Sequence, residues 1–317
     1  MGLSLVISEE ARAANQSKHC PTPFQPGLTQ SGSDYLFAFQ AMATPCEVRL
    51  ETNDATLARR VGDIAETEAR RIEAKYSRYK AESVVGQINA SSGRDIVVDE
   101  ETAHLLNFAA QCFVVSNGLF DITSGVLRRI WKFDGSDCVP SPAQIASLRF
   151  FIGWQKVTWT PPTLNLPIGM EIDLGGLAKE YAVDKTLGAI RAITSAPTLV
   201  NFGGDLRVSG PRHSGTRWKV AIESVDKDGE LAGILELADG ALATSGDARR
   251  YILKNGVRYG HILDPRNGRP VRQTPRSVTV AAESCIEAGM TATLAMLQGR
   301  RAESFLKREG VRAWCIR

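Results

Sequence analysis

No Cys-x-x-Cys pair occurs in the sequence, although it has six cysteines, scattered at positions 20, 46, 112, 138, 285 and 315. In a chain of this size that scatter predicts reduced, mostly buried thiols. His104, His213 and His261 stand equally far apart, so zinc-ligand spacing is missing as well. There is no run of about 18 apolar residues, which excludes a membrane-spanning helix. The formal charge is only +3, which leaves no electrostatic footprint for nucleic acid. Neither GxxxxGKS/T nor GxGxxG is present, so the usual nucleotide-binding fingerprints are absent. The apolar run near the N-terminus has no basic residues before it and is followed by Glu9 and Glu10. It therefore does not read as a signal peptide, and a cytoplasmic protein is expected; a longer natural start would instead allow a periplasmic one.

What is present is ordinary globular composition, 43% hydrophobic and 23% charged, with 28 glycines among 317 residues. Residues 1–33 are rich in Ser, Pro, Gln and Gly and read as a mobile tail, with one large domain over 34–317. A strand pair is expected around Met42–Pro45. Asp54 is placed to cap a long helix through Lys75, followed by polar loop to about Gly93. Asp99 or Glu100 opens a second helix that stops at Asn117-Gly118, and Ser141-Pro142 starts a third. From Gln155 onward strands dominate, with a hairpin signal at Asn255-Gly256 and a helix from Ser284 to Gln298. Helices and many antiparallel strands without βαβ alternation predict an α+β fold.

Four stretches carry polar groups where backbone must turn sharply. EIDLGGLAKEYAVDK (171–185) opens a helix on two glycines, between Asp173 and Lys179. The start of a helix presents unpaired N–H groups and the positive end of its dipole, glycine lets an anion approach, and lysine adds a point charge. The same residues also fit a plain strand-to-helix turn capped by Asp173. LVNFGGDLRVSG (199–210) ends a strand on Gly203-Gly204 and Asp205, which suits either a bulge or a pocket edge. ATSGDARRYI (243–252) offers Thr244, Ser245, Arg249 and Arg250, which suit either a phosphate or a plain turn of the strand. YGHILDPRNG (259–268) puts His261 at a strand end beside carboxylates, where its ordinary pKa suits a general base, although a lone histidine equally fits a structural role. Together these point to a cleft for a phosphorylated, pyrophosphate-like ligand, with or without a metal.

In this order AMATPCEVRL, SRYKAESVVGQIN, GLFDITSGVL, EIDLGGLAKEYAVD, VNFGGDLRVSG, ATSGDARRYI, GHILDPRNG and SVTVAAES resemble the ApbE family of FAD:protein FMN transferases, from about residue 36 to 300. The resemblance implies an ApbE-like, T-fold-like arrangement of mixed and antiparallel sheets packed with helices, forming a single large domain with an FAD cleft. It implies FAD as substrate, Mg²⁺ at the pyrophosphate, and a target flavoprotein whose Ser or Thr receives FMN while AMP leaves. Residue by residue, it implies Met42 and Tyr79 in the flavin or adenine pocket and Leu119, Phe120 and Asp121 against the nucleotide. Asp173, Lys179, Asp205 and Ser245 become FAD-binding, the Gly176 carbonyl becomes a metal ligand, and His261, with Ile262 beside it, becomes the group that takes the acceptor proton.

The sequence departs from the family pattern in one place. Family members usually carry Asp then Thr, four residues apart, on the helix after SVTV, and both bind the metal. Here an ungapped match puts Gly289 and Thr293 at those positions. A shift of two would instead use Glu287 with Thr291, also one helical turn apart. Glu287 and Thr293 are therefore carried as metal-ligand candidates. Two outcomes stay open at this stage: a transferase with an altered metal site, or an FAD-binding, regulatory or FAD-hydrolysing relative.

Overall fold

The computed structural model describes residues 25–224, 231–247 and 250–317. Its centre is an eight-stranded antiparallel sheet whose spatial order is the chain order of its strands. These are β1 (Gly27–Ser31), β2 (Asp34–Ala41), β3 (Thr44–Glu51), β4 (Thr198–Phe202), β5 (Asp205–Val208), β6 (Gly240–Gly246), β7 (Ser277–Ala282) and β8 (Arg312–Ile316). Four long helices accompany it: α1 (Ala55–Tyr76), α2 (Glu100–Val115), α3 (Ala178–Arg191) and α4 (Cys285–Leu297). The expected α+β architecture is present. Among the described residues no helix is long and apolar enough to cross a membrane.

Strand periodicity assigns the two faces of the sheet. On β5, Leu206 and Val208 point to one face, where a hairpin of Trp218–Glu223 and Leu231–Leu237 covers them with Trp218, Leu235 and Leu237. Asp205 and Arg207 point to the other, toward α3. α1, α3 and α4 line that second face and bury Phe37, Val48, Val61, Ile72, Val183 and Val200 against it. The approach of α1 depends on a glycine: a Cβ at Gly62 would lie 2.2 Å from two ring carbons of Phe37.

Sequence signals located most elements. Asp54 accepts the Thr56 and Leu57 N–H groups at the start of α1, and Asp99 accepts Thr102 N–H at the start of α2. Ser141 forms a capping box with Gln144 ahead of the helix Pro142–Arg149. Three expectations change. Order extends back into the expected tail, since β1 begins at Gly27 and pairs with β2, while residues 1–24 lie outside the described residues. The polar loop before Gly93 contains a short helix, Val84–Asn89, capped by Ser83. And α3 begins at Ala178, with Leu177 at its cap position and no side-chain cap, so Asp173 caps nothing.

Candidate active site

α3 and α4 meet in antiparallel steps of one turn. Asp184 on α3 accepts the Cys285 and Ile286 N–H groups at the start of α4 (2.9 and 3.0 Å) and is itself held by Arg207 (2.8 Å). One turn nearer the start of α3, and one turn farther along α4, Glu180 faces Gly289. An added Cβ at Gly289 would lie 2.5 Å from Glu180 Cγ, so that side chain fills the space where a residue 289 side chain would begin. A further turn along the same seam brings Gly176 and Thr293 to one cleft wall.

That cleft has a volume of about 310 Å³. Leu119, Phe120, Asp121, Asp173, Gly176, Lys179, Asp205, Ser245, His261, Ile262 and Thr293 all line it. The structure thus brings together most of the residues that sequence motifs had singled out across 175 positions of chain. Thr244 and Gly246 also border a second cleft of about 610 Å³, whose other walls include Thr44, Asn201, Val220 and Thr279. Arg249 lies outside the described residues, whereas Arg250 is on the first cleft's wall.

Four carboxylates sit on this wall, and three are fully engaged. Asp121 accepts Thr123 N–H, Thr123 O–H and Trp154 N–H at 2.8, 2.6 and 3.1 Å. Burial nonetheless raises its pKa. Asp173 accepts Gly175 N–H through Oδ1 (2.8 Å) and both Arg128 and Arg78 through Oδ2 (3.0 and 3.2 Å). Burial opposes its ionisation, but Arg128, the Gly175 N–H and Arg78 outweigh that and hold its pKa below the usual carboxylate value. Asp205, 1% exposed, accepts Thr244 N–H (2.9 Å) and pairs with Lys179. Burial works against the Lys179 ammonium, yet Asp205 and then Glu180 keep its pKa above the ordinary lysine value. The fourth is Glu180, 9% exposed, whose Oε2 is buried without a hydrogen-bond partner. Burial, and then the negative charge of Asp205, raise its pKa.

The glycine turn leaves backbone groups open as well. The bonds that start α3 run from Ala178 N–H to Leu174 and from Tyr181 N–H to Leu177. The intervening pairs, Lys179 to Gly175 and Glu180 to Gly176, are not formed, so the Gly176 carbonyl at the cleft wall is not taken up by the helix. Among the described residues no three His, Cys, Asp or Glu side chains form a metal cluster.

His261 follows a hairpin strand (Val257–Gly260) and its Nδ1 lies 3.1 Å from the Arg250 carbonyl. A carbonyl only accepts, so Nδ1 carries the proton and Nε2 keeps a lone pair. Burial, then the charge of Arg250, lower its pKa from 6.5 to about 4, so the imidazole is neutral at physiological pH. It retains partial contact with solvent.

Three expected site residues are not on the cleft wall. Glu287 is exposed in the first turn of α4, where its N–H bonds to Ser284 Oγ (3.4 Å). Helix geometry explains this: Gly289 and Thr293 share a face, and Glu287 lies about 120° around the helix from Thr293. Thr291 is likewise absent from the wall, whereas Gly289 and Thr293 both line it. Met42 occupies the tip of the β2–β3 turn, where it and Ala43 have φ of 53° and 57°. Tyr79 is 81% exposed, its ring 5.8 Å from Arg78. Conversely, Arg128 and Glu180 line the cleft without having been singled out. Arg128 sits among apolar neighbours in GVLRR, and Glu180 lies four residues from both Gly176 and Asp184, a spacing that could have marked it.

Comparison with known proteins identifies the family. The model of the ApbE family matches residues 42–315. An FAD:protein FMN transferase of Vibrio cholerae is 33% identical over 230 residues, covering 70% of this chain and 69% of that protein. The Escherichia coli K12 FAD:protein FMN transferase is 26% identical, covering 94% and 88%. Among solved structures, an ApbE protein of Thermotoga maritima superposes with a TM-score of 0.81 at 30% identity, covering 89% of this chain and 94% of the other. The flavinyl transferase ApbE of Pseudomonas stutzeri, in its apo form, gives a TM-score of 0.79 at 26% identity, covering 93% of each. The chain belongs to the ApbE family.

Proposed function

We propose that this protein is an FAD:protein FMN transferase. The observation that carries the reading is the convergence of an open helix start, three cationic side chains and a neutral histidine on one cleft, in a chain whose relatives are named for that reaction. The FAD pyrophosphate would lie over the start of α3, near Arg128, Lys179 and Arg250, where the N–H groups of the helix start and the Arg250 charge favour it. A Ser or Thr hydroxyl of a target flavoprotein attacks the FMN-side phosphorus. The new P–O bond joins FMN to the target, the pyrophosphate P–O bond breaks, and AMP leaves with its electron pair. His261 Nε2 takes the hydroxyl proton, while the Arg250 carbonyl holds Nδ1–H and stabilises the imidazolium that forms.

A divalent cation fits the same wall, because the Gly176 carbonyl is not used by the helix and the Thr293 hydroxyl stands at the cleft, 3.4 Å from Ser245 Oγ. Magnesium on substrate phosphates needs only one or two carboxylates, so the lack of a three-side-chain cluster among the described residues does not conflict with it. Such an ion would offset charge on the pyrophosphate as the P–O bond breaks. The test is incubation of the purified protein with FAD, Mg²⁺ and a flavoprotein carrying a Ser/Thr acceptor. Covalent flavin fluorescence on the denatured target, with stoichiometric AMP, is expected. FAD binding without any covalent product on acceptors that other family members modify would refute the reading.

A further inference from the structure

A wall built for a metal–pyrophosphate needs a carboxylate oxygen that nothing else holds, and three of the four carboxylates on this wall have no such oxygen. Asp121 is consumed by Thr123 and Trp154 N–H groups, Asp173 by Gly175 N–H and two arginines, and Asp205 by Thr244 N–H and Lys179. Glu180 Oε2 is the exception, buried in the wall with no partner. An unsatisfied buried carboxylate oxygen is costly. Either a proton or a cation can be its counterpart, and a cation would also serve the pyrophosphate.

The geometry points to Glu180 as the metal-binding carboxylate of this protein, contributed by α3 across the seam to Gly289 on α4. This inference rests on the transferase reading and its divalent cation. Asp184 locks the register by holding the first N–H groups of α4, which sets Glu180 opposite residue 289. Only glycine there leaves room, since any Cβ would meet Glu180 Cγ at 2.5 Å. Glu180 and Gly289 are therefore one device: a carboxylate on either helix can occupy this point, but both together cannot. Gly176 and Thr293, one turn away on the same seam, supply a carbonyl and a hydroxyl to the same wall. Lys179 is occupied by Asp205, which leaves Glu180 for the metal.

The experiment is titration of Mn²⁺, as a paramagnetic stand-in for Mg²⁺, into the FAD-loaded protein without acceptor, reading free Mn²⁺ by electron paramagnetic resonance. Glu180→Gln is expected to weaken Mn²⁺ binding by about 100-fold, in line with the loss of an essential ligand or its support, while FAD binding in chelator changes far less. The swap Glu180→Gly with Gly289→Asp is expected to restore Mn²⁺ affinity to within about tenfold of the parent, because it moves the carboxylate to the facing helix. Gly289→Asp alone is expected to lower the unfolding temperature, since Glu180 must be displaced. Parent-like Mn²⁺ affinity in Glu180→Gln overturns this assignment and leaves the transferase reading standing. A parent protein that binds no Mn²⁺ with FAD overturns the metal in both. If Glu180→Gln does not fold, the swap decides: a folded swap variant that binds no Mn²⁺ also overturns the assignment.

Discussion

Replacing Lys179 with Met tests whether the ion pair with Asp205 holds the cleft together. Asp205 is almost wholly buried, its side chain 2% exposed against 27% for Lys179. Removing the ammonium strands the carboxylate in a low-dielectric wall, with Thr244 N–H still donating to it and Glu180 beside it. Breaking a buried pair from one side costs about 3–5 kcal/mol. The partial exposure of Lys179 lets water reach the gap, so the low end, about 3 kcal/mol, is expected. For a chain of this size that corresponds to a loss of roughly 6 °C in melting temperature. Asp205→Asn keeps the shape and the acceptor for Thr244, so the double variant is expected to recover about 2 kcal/mol of the loss. Urea unfolding of the four proteins at pH 7 measures the cycle. Additive single and double effects, or a Lys179→Met cost below about 0.5 kcal/mol, would refute the assignment of this pair as a structural element of the wall.

His261→Gln is expected to lower kcat of FMN transfer by about 10²–10⁴-fold with a smaller change in FAD affinity, and single-turnover transfer to an acceptor checks it. The same histidine gives a stability signature. Its folded pKa of about 4 lies below the unfolded 6.5, so its contribution is complete above pH 6.5 and is lost as pH falls toward 4. That slope is worth at most about 3 kcal/mol, and less given its partial solvent contact; it should be missing from His261→Gln in urea melts at pH 7 and pH 4.5. Gly62→Ala gains about 1 kcal/mol of helix propensity but drives a methyl to 2.2 Å from the Phe37 ring. Overpacking of about 1–3 kcal/mol should win, so a net fall in the urea midpoint is expected.

Helix starts were legible because capping is local chemistry: Asp54, Asp99 and Ser141 each bond N–H groups within three residues. The family motifs also located the cleft, since glycine turns and strand-end polar residues mark where backbone must bend around a ligand. What local chemistry could not reveal was which partner each acid would choose. Asp173 precedes two glycines and a helix, yet its carboxylate serves an Asx turn and two arginines that arrive from residues 78 and 128. Glu180 reads as a solvated acid in the first turn of an amphipathic helix. Only the antiparallel seam with α4, set by Asp184, buries it against Gly289. Glu287 was a candidate for the opposite reason: it is the acid nearest to the gap in sequence, on the wrong face in space.

The charge balance of the wall explains why a cation and FAD should bind together. Its cations are Arg128, Lys179 and Arg250, against the acids Asp121, Asp173, Glu180 and Asp205. Arg128 and Lys179 are already paired with Asp173 and Asp205, so little positive charge beyond Arg250 and the start of α3 is left for a pyrophosphate carrying two negative charges. Burial and Asp205 already favour the protonated form of Glu180, so ionising it beside those charges without compensation would cost several kcal/mol. A divalent ion held beside Glu180 would supply the missing positive charge, and by linkage each ligand would tighten the other by the same factor. FAD affinity should therefore fall in chelator, and that dependence should shrink in Glu180→Gln, where one of the two charges needing compensation is gone. A chelator effect of equal size in the two proteins would mean that the cation contacts the phosphates without contacting residue 180.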